Sequence, residues 1–338
     1  GDGAGPVQVL AANGLGCVVS ACRGEDLGTL SREELVKRLF AHQRVVELVM
    51  EQQAVLPVKF GTVLDDTPEV LDLLRQCCSR FLDALASISG KIEVEVAATW
   101  DAKRVLQEIG QEEEVIRARE ALGGKAPPTL EERVELGRLV KMHMDRRRDG
   151  YRERMVAFLR PLALDMVCNP LLSDELVMNV AFLLEQAREQ EFEERVRAMD
   201  GVFNNEIAFR VIGPLPPYSF STVEVTRLTS QQVDEAREAL SLGETISEGE
   251  VRKAYRRLAA QEQSALGGGD GQGQSRLGRL SEASKLLLRY CQAQTEAQAS
   301  TENDAPVRAS PGRWFSIAIK RAEGADVEPA RFGGGLKA

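Results

Sequence analysis

Two histidines, six cysteines and a few carboxylate clusters are all that 338 residues offer toward proton transfer, nucleophilic attack or metal binding. A catalytic histidine needs a partner that orients and polarises its ring. His42 and His143 each fall on the apolar side of an expected helix, and both read as core or boundary residues rather than general bases. The cysteines, at positions 17, 22, 77, 78, 168 and 291, include no CxxC pair. That is the pattern of reduced thiols in an intracellular protein. Structural zinc takes three or four converging ligands, whereas Glu112, Glu113 and Glu114 read as the solvated face of a helix. The stretch LGGGDGQG, from Leu266 to Gly273, has neither a preceding strand nor a Lys-Ser/Thr pair, so it reads as a loop and not a phosphate cradle. With no HExxH, GxSxG or Walker lysine loop, the expectation is no enzyme, no metal and no cofactor.

The chemistry that the sequence does carry is recognition. In IAFRVIGPLPPYSF, Ile207 to Phe220, an alternating strand pattern stops in a proline-loaded corner that ends in aromatics. Gly213 opens backbone conformations closed to other residues. Pro214, Pro216 and Pro217 fix φ and remove three amide donors, so the ladder is expected to end there. A stiff corner displaying Tyr218 and Phe220 loses little entropy when a partner docks. Burial of both rings as the lid of a core is the plainer alternative, because large aromatics are mostly inside.

Composition narrows the class. A formal net charge of −9 and 5% aromatic residues argue against a general nucleic-acid binder, which needs a basic surface and stacking platforms. Hydrophobic residues at 43% suffice for sizeable cores. No apolar run approaches the roughly 20 residues that a membrane span requires, and no signal peptide is evident. A cytosolic protein is expected.

The elements follow from periodicity and caps. Two short strands flank Asn13-Gly14, a tight-turn dipeptide, and predict a hairpin. Ser31 and Glu34 form a capping-box pattern ahead of Leu35, Leu39, His42, Val46 and Val49, which predicts an amphipathic helix over 31–52. VLPVKFG, 55–61, reads as a short strand containing Pro57 and Phe60 and left at Gly61. Thr67 and Pro68 open a helix with Val70, Leu74, Cys77, Phe81 and Leu85 on one face. Ile92, Val94 and Val96 alternate with Glu93 and Glu95, predicting a strand with one dry and one wet face. Helices are expected over 101–122 and 130–159, with a break at 123–128, and then strand, strand, helix and strand. Residues 295–312 have the composition of a flexible linker, and RWFSIAIK, 313–320, is a final strand placing Phe315, Ile317 and Ile319 on one side.

Two stretches carry a resemblance. GPLPPYSF resembles the glycine-proline-aromatic signature of the gas vesicle protein L/F family, and VLPVKFGTVL, Val55 to Leu64, resembles that family's other marker. KIEVEVAATW and NVAFLLE lie between them in the same order. The resemblance covers about residues 7–225 and implies an accessory protein of gas vesicle assembly, cytoplasmic or on the vesicle. Its implied partner is the small hydrophobic shell protein, with other gas vesicle accessory proteins as further candidates. It also implies an opening strand rich in aromatics, which this sequence does not match. The expected fold class is α+β: an N-terminal α+β domain over 1–88 and a modified ferredoxin-like domain over 89–228. The signature residues Pro57, Phe60, Gly61, Gly213, Pro214, Pro216, Pro217, Tyr218 and Phe220 are the candidate binding or structural positions.

A second resemblance lies further on. LSLGETISEGEVRKAYRRLAA resembles the first half of a J-domain and SEASKLLLRY its third helix, giving a helical module over 229–294 and a tail over 295–338. Ser247 and Glu250 form its capping box, and Val251, Ala254, Tyr255 and Leu258 its apolar stripe. Gln263, Ser264 and Ala265 stand where that family has His-Pro-Asp. The alternative function this implies is a co-chaperone recruiting a heat-shock ATPase, and the missing tripeptide weakens it.

Overall fold

The computed structural model describes residues 6–22, 27–123, 129–204, 206–265, 271–301 and 313–322. The chain opens with β1 (Val7–Ala12), β2 (Leu15–Ser20), α1 (Arg32–Met50), α2 (Thr67–Gln76) and α3 (Cys78–Ile88). It continues with β3 (Lys91–Trp100), α4 (Ala102–Ile109), α5 (Glu113–Gly123), α6 (Leu130–Leu159), β4 (Asp165–Cys168), β5 (Leu176–Glu185), α7 (Glu189–Val202) and β6 (Ile207–Leu215). Last come β7 (Thr222–Thr229), α8 (Ser230–Ala239), α9 (Glu248–Ala265), α10 (Gly271–Thr301) and β8 (Arg313–Lys320). The glycine-rich 266–270 and the polar 302–312 lie outside the described residues, as does 124–128 of the expected break. α10 runs through 295–301, where the composition predicted linker.

Two units result. One combines Gly1–Ser89 with Ser221–Lys320, the other Gly90–Phe220 with Arg321–Ala338. This differs from the sequence-based division, which ended the second domain at 228 and set 229–294 and 295–338 apart. The reason is pairing: β7 and β8 form an antiparallel ladder from Thr222↔Lys320 to Thr229↔Arg313. Phe315 and Ile317 are 0% and 2% exposed in a core that also holds Leu15, Leu73, Leu74, Cys77, Phe81 and Val223. The last strand therefore completes the core begun by the first 89 residues.

Local chemistry in this unit explains its elements. Asn13 and Gly14 both take positive φ, 50° and 76°, and close the β1–β2 hairpin in register from Val7↔Ser20 to Ala12↔Leu15. The Ser31 hydroxyl accepts the Glu34 amide and caps α1. Of the expected α1 stripe only Val46 is buried, and Leu39 is 44% exposed. Asp66, rather than Thr67, caps α2 through the Glu69 amide, with Pro68 in the first turn. The single helix expected from Thr67 is broken at Cys77 into α2 and α3. α8, α9 and α10 pack around Val233, Leu240, Val251, Ala254, Leu287 and Cys291, and Ser247 and Glu250 exchange their capping hydrogen bonds ahead of α9.

The second unit is a four-stranded sheet in the order β4-β5-β3-β6, every neighbouring pair antiparallel. Ile92, Val94, Val96, Ala98 and Trp100 of β3 share a core with Met155 and Leu159 of α6 and with Phe192, Val196 and Met199 of α7. The helical stretch after β3 is divided by a turn at 110–112 into α4 and α5. Trp100 Nε1 donates to the Asp174 carbonyl at 2.7 Å, and the Arg148 guanidinium stacks 5.6 Å from its ring. The expected wet face of β3 is not wet at Glu93, which is 1% exposed.

Candidate partner-binding site

The proline corner is built on the second unit's sheet. β6 does not end at Gly213: it shifts register between Glu93 and Glu95 and regains pairing at Glu93↔Leu215. A bulge accommodates Pro214, whose missing amide costs no ladder bond there. Gly213 has φ 152°, and a Cβ on it would sit 3.0 Å from the Glu93 carbonyl oxygen and 3.2 Å from a Val94 methyl. Both the backbone conformation and the close approach require glycine. The Gly213–Pro214 peptide is cis.

Beyond the strand the chain folds onto its own base. Pro216 and Pro217 are buried, while Tyr218, Ser219 and Phe220 are half-buried. The Phe220 amide donates to the Pro217 carbonyl at 3.1 Å, closing a turn. Neither sequence-based alternative describes the two rings fully, because they are partly covered and partly presented.

Sequence reasoning missed the residue that holds this corner. Glu93 accepts the Ser219 amide on Oε2 and the Ser219 hydroxyl on Oε1, each at 2.7 Å. Burial pushes its carboxyl up to about 7, against the opposing pull of the two Ser219 hydrogen bonds and with a further rise from Glu95. The Ser219 carbonyl accepts the Ala322 amide at 2.8 Å. Arg321 beside it donates to Asp165 Oδ1 at 2.9 Å and to the Met166 carbonyl. The available signal was a serine between two aromatics in a corner short of amide donors, which leaves that corner in need of a side-chain acceptor from elsewhere in the chain.

The other signature segment belongs to the first unit. VLPVKFG is not a strand: it makes one parallel bridge, Val58↔Val223, with Val223 N donating to the Pro57 carbonyl and Lys59 N to the Val223 carbonyl, both at 2.8 Å. Pro57 has no amide to extend the pairing. Lys59 and Lys320 both grip Glu224, at 2.7 and 2.6 Å, and hold its carboxyl down at about 2, Lys320 contributing most. Pro57 is buried, Phe60 half-buried and Gly61 exposed. The Phe60 ring meets His42 edge-on at 5.7 Å, and His42 Nε2 donates to the Val58 carbonyl at 3.1 Å. Burial lowers the His42 pKa, partly offset by that bond. Gly61 has φ 90°, and a Cβ there would meet Leu27 at 3.1 Å.

His143 corrects a reading of the sequence. It is 8% exposed, with Nδ1 2.5 Å from Glu112 and Nε2 3.1 Å from Glu114. These are carboxylates read as merely solvated, and the histidine does have partners. Both ring nitrogens are engaged in tying the start of α5 to α6, and Arg147 fastens the same cluster through Glu108 and Glu112 at 2.7 Å each. Such a ring braces the two helices against each other. Among the described residues no group of three or more Cys, His, Asp or Glu could hold a metal ion, and no helix is long and apolar enough to cross a membrane.

This mixture of helix and sheet is the architecture of solved gas vesicle proteins. The crystal structure of GvpF from Microcystis aeruginosa aligns with a TM-score of 0.53 at 26% identity, covering 64% of this chain and 88% of that one. GvpF from Anabaena sp. PCC7120 aligns at 0.56 and 24% identity, covering 63% and 86%, a likeness of fold. Gas vesicle protein F of Streptomyces sp. (strain CB03234) is 31% identical over 226 residues, 65% of this chain and 90% of that protein. Gas vesicle protein F of Dolichospermum flosaquae is 28% identical over 192 residues, 56% of this chain and 78% of that protein. The model of the gas vesicle synthesis protein GvpL/GvpF family matches residues 1–222. The chain belongs to that family, and the match ends at the first residue of β7.

Proposed function

We propose that this protein is a cytoplasmic accessory factor of gas vesicle assembly that binds the small hydrophobic shell protein, and that the corner Gly213–Phe220 is part of the docking surface. One observation carries the assignment of the corner: Ser219 is held by a buried carboxylate beneath it, so Tyr218 and Phe220 are offered partly exposed on a backbone that does not have to be ordered on binding. Family membership supports the assembly role. The sheet order β4-β5-β3-β6, antiparallel throughout, supports reading the second unit as a modified ferredoxin-like domain. Co-purification of the shell subunit with the full chain tests the function. Retention by the wild type and loss by a Tyr218→Ala variant that still unfolds cooperatively is the expected result. Equal retention by both removes the corner from the site, and no retention by either removes shell-protein binding.

The co-chaperone reading has its own observation. Val251, Ala254 and Leu258 of α9 pack with Leu286 and Leu287 of α10, which supports a J-like helical pair. Gln263, Ser264 and Ala265 are the last three residues of α9 and supply neither an imidazole nor a carboxylate. The module then serves as a docking or spacer element without stimulating an ATPase. A single-turnover assay with a heat-shock ATPase should show unchanged hydrolysis.

A further inference from the structure

The part of the chain beyond the family match contains a groove of about 380 Å³ between β7, α8 and α10, all within the first unit. Its floor is apolar and low. Leu228, Ala236 and Ala283 are buried there, with Leu286 half-buried beside them. Small side chains on the facing surfaces of α8 and α10 leave room that larger ones would fill.

The rim gives the groove a sign. Arg279 and Arg289 of α10 are exposed on it and form no ion pair with any described residue. All but one of the remaining rim charges are paired with an opposite charge. Lys285 pairs with Glu282 at 2.9 Å and Arg227 is bound to Asp65 and Glu69, while Glu235, on the α8 side, accepts from the neutral Gln231 amide at 2.8 Å and keeps its charge. Two guanidinium groups without a carboxylate partner among the described residues, set along α10 against the single unpaired carboxylate of Glu235 on α8, therefore flank an apolar floor, in a chain whose formal net charge is −9. Arginine forks suit carboxylates, which they bind bidentately.

Spacing defines the ligand. Ten positions of α10 separate the two arginines, a rise of about 15 Å along the axis. An extended peptide covers that length in about five residues. We propose that this groove is a docking site for a short acidic peptide segment of a partner protein, with carboxylates at both ends and an apolar residue between them over Leu286.

The test uses the full chain and a fluorescein-labelled hexapeptide, Asp-Glu-Leu-Leu-Glu-Asp, with Lys-Arg-Leu-Leu-Arg-Lys as the opposite-charge probe. Fluorescence anisotropy should show saturable binding of the acidic peptide alone, weakened by added salt. The double variant Arg279→Glu/Arg289→Glu should lose about tenfold or more in affinity, because both cations reverse sign. Ala239→Leu, at an exposed position on the groove wall, should weaken binding by filling it while leaving every charge in place. Arg256→Glu/Arg257→Glu, on the exposed face of α9, should bind as the wild type does. The proposal is overturned by absence of saturable binding, by equal binding of the basic probe, or by an Ala239→Leu variant that binds like the parent. An equal loss in the α9 variant also overturns it, since attraction would then be general to the module's charge.

Discussion

Replacing Glu93 by glutamine should make the second unit more stable at pH 8 and leave it nearly unchanged at pH 5. The carboxyl is 1% exposed and titrates at about 7, against an ordinary value of 4.5. A folded-state pKa raised in this way contributes stability that is complete below about 4.5 and is lost as pH rises through about 7. The shift amounts to about 3 kcal/mol between those limits. Glutamine keeps the local bonding: its carbonyl accepts the Ser219 amide and its amide donates to the Ser219 hydroxyl, both 2.7 Å from the present oxygens. Only the buried charge disappears. Urea unfolding followed by Trp100, with Trp314→Phe as background, reports this unit alone, because the chain's two tryptophans lie one in each unit. The difference between variant and parent should grow toward about 3 kcal/mol from pH 5 to pH 8. Parallel stability profiles would rule out a buried Glu93 charge as the source of the pH dependence, as would a glutamine variant weaker than its parent at pH 8.

Three further substitutions probe the frame. Phe315→Ala should cost the first unit about 3–5 kcal/mol, since the ring is fully buried, and leave the Trp100 transition in place. Loss of both transitions together would contradict the assignment of β8 to the N-terminal core. Phe60→Ala should cost less, about 1–2 kcal/mol by urea unfolding followed at Trp314, because the ring is half-buried and its aromatic contact is His42. Gly213→Ala should destabilise the second unit by about 1–3 kcal/mol in the Trp100 transition, since φ 152° and the 3.0 Å approach to Glu93 both exclude a Cβ. A neutral result there would mean that the bulge relaxes freely.

What could be read from the sequence was whatever local chemistry decides. Asn13-Gly14 forces a tight turn whatever surrounds it, Ser31 caps the next helix from three residues away, and Ser247 with Glu250 does the same before α9. Partners distant along the chain were not legible. Glu93 looks like an ordinary outward acid because alternation describes a strand by itself, and the residue that covers it is 126 positions later. The tail strand was expected from its own period, but its choice of β7, and hence the true extent of the first unit, follows from Phe315 and Ile317 fitting a core laid down before residue 89. VLPVKFG has strand composition and makes a single bridge, because Pro57 cannot donate and Gly61 turns the chain away. In the candidate site the corner was visible and its anchor was not.

Whether the corner docks the gas vesicle shell subunit is decided by the affinity of the full chain for that subunit, by titration calorimetry, with Tyr218→Ala and Phe60→Ala beside the wild type. The expected outcome is binding by the wild type, similar binding by Phe60→Ala, and about tenfold or greater loss in Tyr218→Ala, the aromatic anchor of the corner. Full affinity in a folded Tyr218→Ala variant, or a loss confined to Phe60→Ala, would contradict it.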